Sequence, residues 1–424
     1  MNCLQSITRS SIQLVALCSL LQFALAGHVF AICNPAGLEL KVNTHIEKGQ
    51  RDSALAALTK GRFVVTWASF GQDGSDDGIY GQLIDDLGNK VGSEFPVNTY
   101  TNSGQYDPSI AGLPEGGFVV TWTSYGQDGS GDGIYGQVFD SAGNKVGSEF
   151  PVNTYTTNNQ GSSSVAALMA GGFVVAWQSA GQNGNGWGIY SQLFDGAGNK
   201  VGREFLVNSY RTTSQTAPSV AGLSGGGFVV TWRSDGEKDS DWGIDGQIFD
   251  SSGNKVGNQF RVNTYITWFE GNGSVVGLTG GGFVATWASY RWDGSEYNVY
   301  GQVFDSTGSK VGSEFQVNTY TASEQTFVSV VGLLGGAFVV TWASFGQDGS
   351  GYGVYGQVFS NSGNKLGSEF RVNTYTTGSQ EGPSIAGLSG GRFVSFGNQM
   401  VRMEVTLASM PRDFPAGADS AKVN

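Results

Sequence analysis

Apolar and polar residues alternate along most of this chain in short runs, and the runs recur. Between Ser109 and Asn153 four of them stand out: Ser109–Leu113, Phe118–Trp122, Ile134–Phe139 and Glu149–Asn153. Alternation with period two, filled by β-branched and aromatic residues, is the signature of half-buried strands. The runs are divided by Gly116-Gly117, by a Gly/Asp/Ser stretch from Ser124 to Gly133, and by the polar turn Asp140-Ser-Ala-Gly-Asn-Lys145. Those residues supply positive φ and local hydrogen bonds, so each break reads as a turn. No stretch after the first few dozen residues carries a helical period. One unit therefore predicts a four-stranded antiparallel meander.

The unit repeats every 55 residues without insertion or deletion. Asn43, Asn98, Asn153, Asn208, Asn263, Asn318 and Asn373 mark one column, and Phe63 to Phe393 mark another at the same step. A third column, Trp67, Trp122, Trp177, Trp232, Trp287 and Trp342, closes the second strand and reads as inter-blade core. A lone meander cannot bury both apolar faces, whereas radial repetition covers each sheet with its neighbours and shelters the edges. A β-helix is the competing architecture, but its rungs are shorter and lack these hairpin turns. The expected fold is all-β, a seven-bladed β-propeller of four-stranded antiparallel blades. Leu38–Asn43 matches a fourth strand with no first three before it, and the last unit loses its pattern after Val394. The N-terminal strand is therefore expected to pair in the last blade and close the ring, with Met400–Ala408 as that blade's third strand.

The first residues follow a different logic. Arg9 precedes an apolar run from Ile12 to Leu25, and Ala24-Leu25-Ala26 offers a small-x-small cleavage pattern. The run is too short to span a bilayer and is interrupted by Gln13 and Gln22, so it reads as an export signal over residues 1–26. The expected organisation continues with a linker at 27–37, the propeller at 38–408 and a tail at 409–424. A secreted protein, extracellular or periplasmic, is the implied product, with no membrane span. Once residues 1–26 leave, only Cys33 of the three cysteines remains, which leaves no disulfide framework and no Cys metal cluster.

Composition narrows the partners. The chain has 23 Lys+Arg against 35 Asp+Glu, a net charge of −12, so phosphate-rich nucleic acid is an unsuitable ligand. Its 10 Trp, 16 Tyr and 26 Phe argue against a disordered acidic chain. With 2 His there is little scope for a Ser-His-Asp triad or a His-ligated zinc site.

In a propeller the loops between strands two and three open on the same face as those between strand four and the next blade. Here both sets are long and varied, so binding is expected on that face. The first two strand two–three loops hold Asp73, Ser75, Asp77 and Asp128, Ser130, Asp132, oxygen ligands at alternate positions before a glycine. Such spacing suits calcium, and the competing reading is a turn that caps its own backbone. The position of the last Asp passes to Trp187, Trp242, Tyr297 and Tyr352 in later units, with Trp268 and Trp292 nearby. Aromatic faces beside Asn, Gln and Asp suit stacking on a sugar, and inter-blade packing is the alternative. The one asymmetric acidic cluster is Asp235, Glu237, Asp239, Asp241 and Asp245, readable as a cation or acid/base site or as a solvated loop. The column Glu94, Glu149, Glu204, Glu314 and Glu369 reads as charges guarding the outer strand edge.

The motif Gly-Phe-Val-Val-Thr-Trp, followed by Gly-Gln-Asp-Gly-Ser-Gly-Asp-Gly-Ile-Tyr-Gly-Gln-Val-Phe-Asp and Gly-Asn-Lys-Val-Gly-Ser-Glu-Phe-x-Val-Asn-Thr-Tyr, resembles tandem repeats of large secreted bacterial surface proteins, adhesins and repeat toxins among them. The likeness runs from residue 38 to about 394. It implies a surface-binding role without attaching an activity to the unit, and the glycine-rich calcium nonapeptide of those proteins is absent. Together these features predict a monomeric, non-catalytic binding or adhesion propeller that recognises a glycan or cell-surface protein. The alternative is a carboxylate-dependent polysaccharide hydrolase or lyase using the same face.

Overall fold

The structure is a computed structural model that describes residues 34–35, 40–45, 49–184, 186–210, 213–235, 242–264, 269–290, 297–388, 391–399 and 402–409. Six four-stranded antiparallel sheets form its blades. Blade one consists of Gln50–Ala57, Phe63–Phe70, Asp77–Ile84 and Lys90–Pro96, and blade two of Gln105–Gly112, Phe118–Tyr125, Asp132–Phe139 and Lys145–Pro151. Blades three to six begin at Gln160, Gln215, Phe269 and Gln325 and repeat the same order. The first strand of each blade touches the first strand of the next, so these strands surround the axis, while the fourth strands lie outermost.

The columns read from sequence become the seams between blades. All six Trp of the recurring column are fully buried. Phe118 and Phe139 of blade two stack at 4.8 Å and 7°, and Phe95 from the outer strand of blade one tilts onto them at 6.3 and 5.5 Å. The same ring triad recurs where Phe150 meets Phe173 and Phe194 and where Phe315 meets Phe338 and Phe359. Gly81 is needed beneath Phe95, since a Cβ there would lie 2.7 Å from the ring. Burying one such aromatic side chain is worth roughly 2–3 kcal/mol, so repeated rings stabilise the circle far more than its surface pairs do.

The seventh sector departs from expectation. It holds three strands, Glu381–Leu388, Arg392–Gln399 and Arg402–Ser409, not a four-stranded blade. Among the described residues there are therefore six four-stranded blades, not the seven expected, and the N-terminal segment expected over 38–43 does not close the ring as a fourth strand. The N-terminal segment contributes only two-residue bridges, Asn34–Pro35 and Leu40–Lys41, against Arg402–Ser409. Two features account for the difference. Leu40 stands where complete outer strands place a phenylalanine. Gly397 also replaces the tryptophan of the other sectors, because Phe393 aligns with Phe338. The circle is completed by side packing: Val42, Leu55, Phe63, Val65, Trp67, Tyr80 and Ile84 share one core with Ala386, Leu388, Val394 and Phe396.

Candidate functional site

Each inner strand starts with a bulge. The ladder between first and second strands shifts between Arg51 and Ala54, and likewise between Tyr106 and Ser109 and between Thr326 and Ser329. The bulged residue adopts positive φ at Asp52 (53°), Asp107 (50°), Ser162 (52°), Ala217 (51°), Phe327 (52°) and Gly382 (56°). A left-handed conformation costs a non-glycine residue about 1 kcal/mol, yet it is kept around the ring. Bulges of this kind re-aim side chains. The seven residues in this column, counting Asn272, lie near the start of the strands that surround the axis and differ in chemical kind: Asp, Asp, Ser, Ala, Asn, Phe and Gly.

This column lies on the long-loop face, where the loops interlock. Asp132 N donates to Asn159 Oδ1 (3.2 Å) and Gly378 N donates to Ser350 Oγ (3.1 Å), each joining a strand two–three loop to the loop leading into the next inner strand. Beneath that face Asn98 ties the crossover. Its Oδ1 accepts from Ile79 N (2.7 Å), and its Nδ2 donates to Tyr100 O (2.8 Å) and Gln105 Oε1 (2.9 Å). Gln105 is the first residue of the inner strand, four residues earlier than the alternation alone suggested.

The mouth is electrostatically lopsided. Arg51 donates from Nη2 to Asp77 Oδ2 at 2.5 Å and places Nε 3.7 Å from Asp52 Oδ2. The Asp52 carboxylate accepts the backbone N–H of Asp107, and burial pushes its own pKa up. Asp107 opens to solvent at the mouth but is flanked by protein, so desolvation, with the Asp52 charge second, pushes its carboxyl to about 6. Tyr106 donates its hydroxyl to Asp132, and burial together with that bond raises the phenol. On the same rim, in blade six beyond the three-stranded sheet, Phe327 is 53% exposed. Blades one and two thus offer a carboxyl able to exchange a proton near neutrality beside a second carboxylate, and blade six offers an apolar ring.

The residues singled out from sequence are distributed as follows. Asp77, Asp132, Trp187, Tyr297 and Tyr352 occupy one position, the first residue of the third strand. It acts as a brace over the blade. Asp77 meets Arg51, Asp132 meets Tyr106, and the Tyr352 hydroxyl donates to Glu324 Oε2 at 2.7 Å. Tyr297 packs on Tyr290 at 5.2 Å, and Trp242 lies under the Arg233 guanidinium at 4.9 Å. In the loops proposed for calcium, Asp73 Oδ1 accepts from Ser75 N and Asp128 Oδ1 from Ser130 N, both at 3.0 Å. Among the described residues no group of three or more His, Cys, Asp or Glu is placed to hold a metal. Asp241, Trp268 and Trp292 lie outside the described residues.

The acidic cluster of blade four does not assemble among its described members. Asp245 is buried inside the third strand with Arg261 Nε at 2.8 Å, and Asp235 lies 3.8 Å from Arg233. The glutamates read as edge guards have another task. Glu149 accepts from Thr99 N of the preceding blade and from Gln127 Nε2, both at 2.5 Å, and Glu204 and Glu369 repeat the pattern. They latch blade to blade.

The pair Asp52 and Asp107 was missed because strand one was begun too late, which left both residues in a loop. The available signal was a column populated by Asp, Asn, Ser and Gly, residues tolerant of positive φ, within an otherwise uniform repeat.

No protein-family model matches this chain, and no curated protein matches it. Among solved structures it is similar to a protein of unknown function from Dyadobacter fermentans DSM 18053, at 10% identity and a TM-score of 0.53, covering 88% of this chain and 98% of that one. It is also similar to the polysaccharide lyase Uly1, at 10% identity and a TM-score of 0.51, covering 84% and 89%. These likenesses establish the propeller fold.

Proposed function

We propose that the protein binds a polysaccharide across the mouth of its ring on the long-loop face. One observation carries this reading: at equivalent bulge positions around the axis, where the backbone is the same, the side chains diverge into Asp52, Asp107 and Phe327. A flat apolar ring with carboxylates on a shared rim is the combination a sugar needs, since its C–H face stacks while its hydroxyls donate. Isothermal titration against neutral and charged oligosaccharides tests it. Phe327→Ala and Asp107→Ala are expected to weaken binding at least tenfold, and the distant turn variant Asp140→Asn is expected to leave it unchanged. Equal affinities for all three variants would reject the reading.

A second reading, cleavage of the bound glycan, is favoured by the elevated Asp107 carboxyl beside Asp52. General acid chemistry requires one carboxyl that keeps its proton next to one that is ionised. Release of new reducing ends or unsaturated ends that stops in Asp107→Asn while binding persists would establish it.

Export through residues 1–26 and action as a single chain outside the cytoplasm belong to the same proposal. N-terminal sequencing of the secreted protein checks the first and sedimentation the second. No helix among the described residues is long and apolar enough to cross a membrane.

A further inference from the structure

The last residue of each second strand lies at the base of a long loop on the binding face. In four blades it is an exposed aromatic: Tyr290 (38%), Phe345 (45%), Phe70 (43%) and Tyr125 (54%). These belong to blades five, six, one and two, which are consecutive around the ring apart from the three-stranded sheet. Blades three and four carry Ala180 and Asp235 at the same place. Phe327 at the mouth lies within the same arc. The face is therefore polarised, aromatic along one side and not along the other.

The rings form separate small patches, one per blade, with Tyr297 packed on Tyr290 at 5.2 Å and Tyr352 edge-on to Phe345 at 5.1 Å, and polar loops lie between the patches. A protein partner needs a contiguous dry core, and this arrangement offers none. It suits a polymer of rings that stack one at a time and hydrogen-bond in between. Charge then selects the polymer. Across the inner strands and strand two–three loops of blades one and two, the described residues carry five aspartates, Asp52, Asp73, Asp76, Asp107 and Asp128, with Asp77 and Asp132 opening the third strands and Arg51 as their one cation. Arg51 is already held by Asp77 and Asp52. A polyuronate or sulfated chain would meet uncompensated repulsion along half of this arc. A chain of sugars bearing protonated amines would meet carboxylates, and its ammonium groups could sit over the same aromatic faces.

We propose that the arc Tyr290–Phe345–Phe70–Tyr125 docks a polysaccharide carrying free amino groups. This rests on the glycan-binding reading above and names the class of glycan. The test is titration of the full chain with glucosamine oligomers, with the same oligomers fully N-acetylated, and with oligogalacturonate, under conditions that protonate the amines. The free-amine oligomer is expected to bind at least tenfold more tightly than its acetylated form, to weaken with salt, and to weaken again in Tyr125→Ala and in Asp107→Asn; oligogalacturonate should not bind. Acetylated oligomer or oligogalacturonate binding as tightly would overturn the amine inference and leave glycan binding standing. No binding by any of the three, from protein with an unchanged melting midpoint, would overturn both.

Discussion

The two ends of the repeat unit have opposite histories written in their side chains. At the short-turn end, Asp140 Oδ1 accepts from Ala142 N and Asn144 N at 2.9 and 2.8 Å, and Asn144 Nδ2 donates to Asp140 Oδ2 at 2.9 Å. Asp85, Asp195 and Asp250 build the same turn to within a few tenths of an ångström. At the long-loop end the backbone is just as regular, but one brace position is filled by Asp, Trp or Tyr and one bulge position by chemically unlike side chains. Uniform backbone with uniform side chains marks a solution to a folding problem met in every blade. Uniform backbone with divergent side chains marks positions released from that problem, and the divergence concentrates on one face.

Several perturbations would break or sharpen this contrast. The largest effect is expected in the shared core. Trp122→Ala and Trp287→Ala should each cost about 3–5 kcal/mol in urea unfolding, by a similar amount, because the two sites are equivalent. A twofold difference between them would show that the blades are not interchangeable. The seam latch comes next. Glu149→Ala removes the acceptor for Thr99 N and Gln127 Nε2 and should cost about 1–2 kcal/mol by the same measurement. Glu149→Gln should cost less, since Gln259 already accepts from Ser209 N at 2.8 Å in blade four.

The pH response should separate the two ends by sign. The turn aspartates Asp140 and Asp195 are held below the ordinary range by their asparagine partners and backbone amides. Their stabilisation is present above about 4 and fades as pH falls through the lowered values. Asp107 is shifted the other way, so its ionisation works against the fold as pH rises from its ordinary 3.8 and does so fully above about 6. Asp107→Asn should therefore raise the melting midpoint at pH 8 and leave it unchanged at pH 3.5, whereas Asp140→Asn should lower it at pH 8. The smallest stability effect is expected on the arc, where Tyr125→Ala should stay within about 0.5 kcal/mol of the parent while weakening oligosaccharide binding.

Much of the architecture was legible because the repeat displays its own periodicity. The Trp and Phe columns announced the seams, and the turn chemistry of Asp140–Lys145 announced the hairpins. Two things were not legible. In the seventh sector Leu40 takes the place of the outer-strand phenylalanine and Gly397 that of the seam tryptophan, losses that the match of Leu38–Asn43 to an outer strand does not register. The mouth depends on a bulge, and alternation with period two cannot register a residue that breaks the alternation. Asp107 therefore looked like a loop residue until the ladder between Tyr106 and Ser109 placed it in the inner strand. The aromatics Trp187, Trp242, Tyr297 and Tyr352 were legible as a column, whereas the placing of Trp187, Tyr297 and Tyr352 at the start of the third strand and the contacts with Tyr290, Arg233 and Glu324 could be known only in three dimensions.

The central claim is that binding resides where the repeat's symmetry is broken. A crystal structure of the protein soaked with a glucosamine oligomer tests it most directly. The account predicts sugar rings ordered against Phe327 and Tyr125, with an amine or hydroxyl on the Asp52–Asp107 pair. Sugar ordered on the Asp140-type turns or along the outer strands, with the mouth left to solvent, would contradict it.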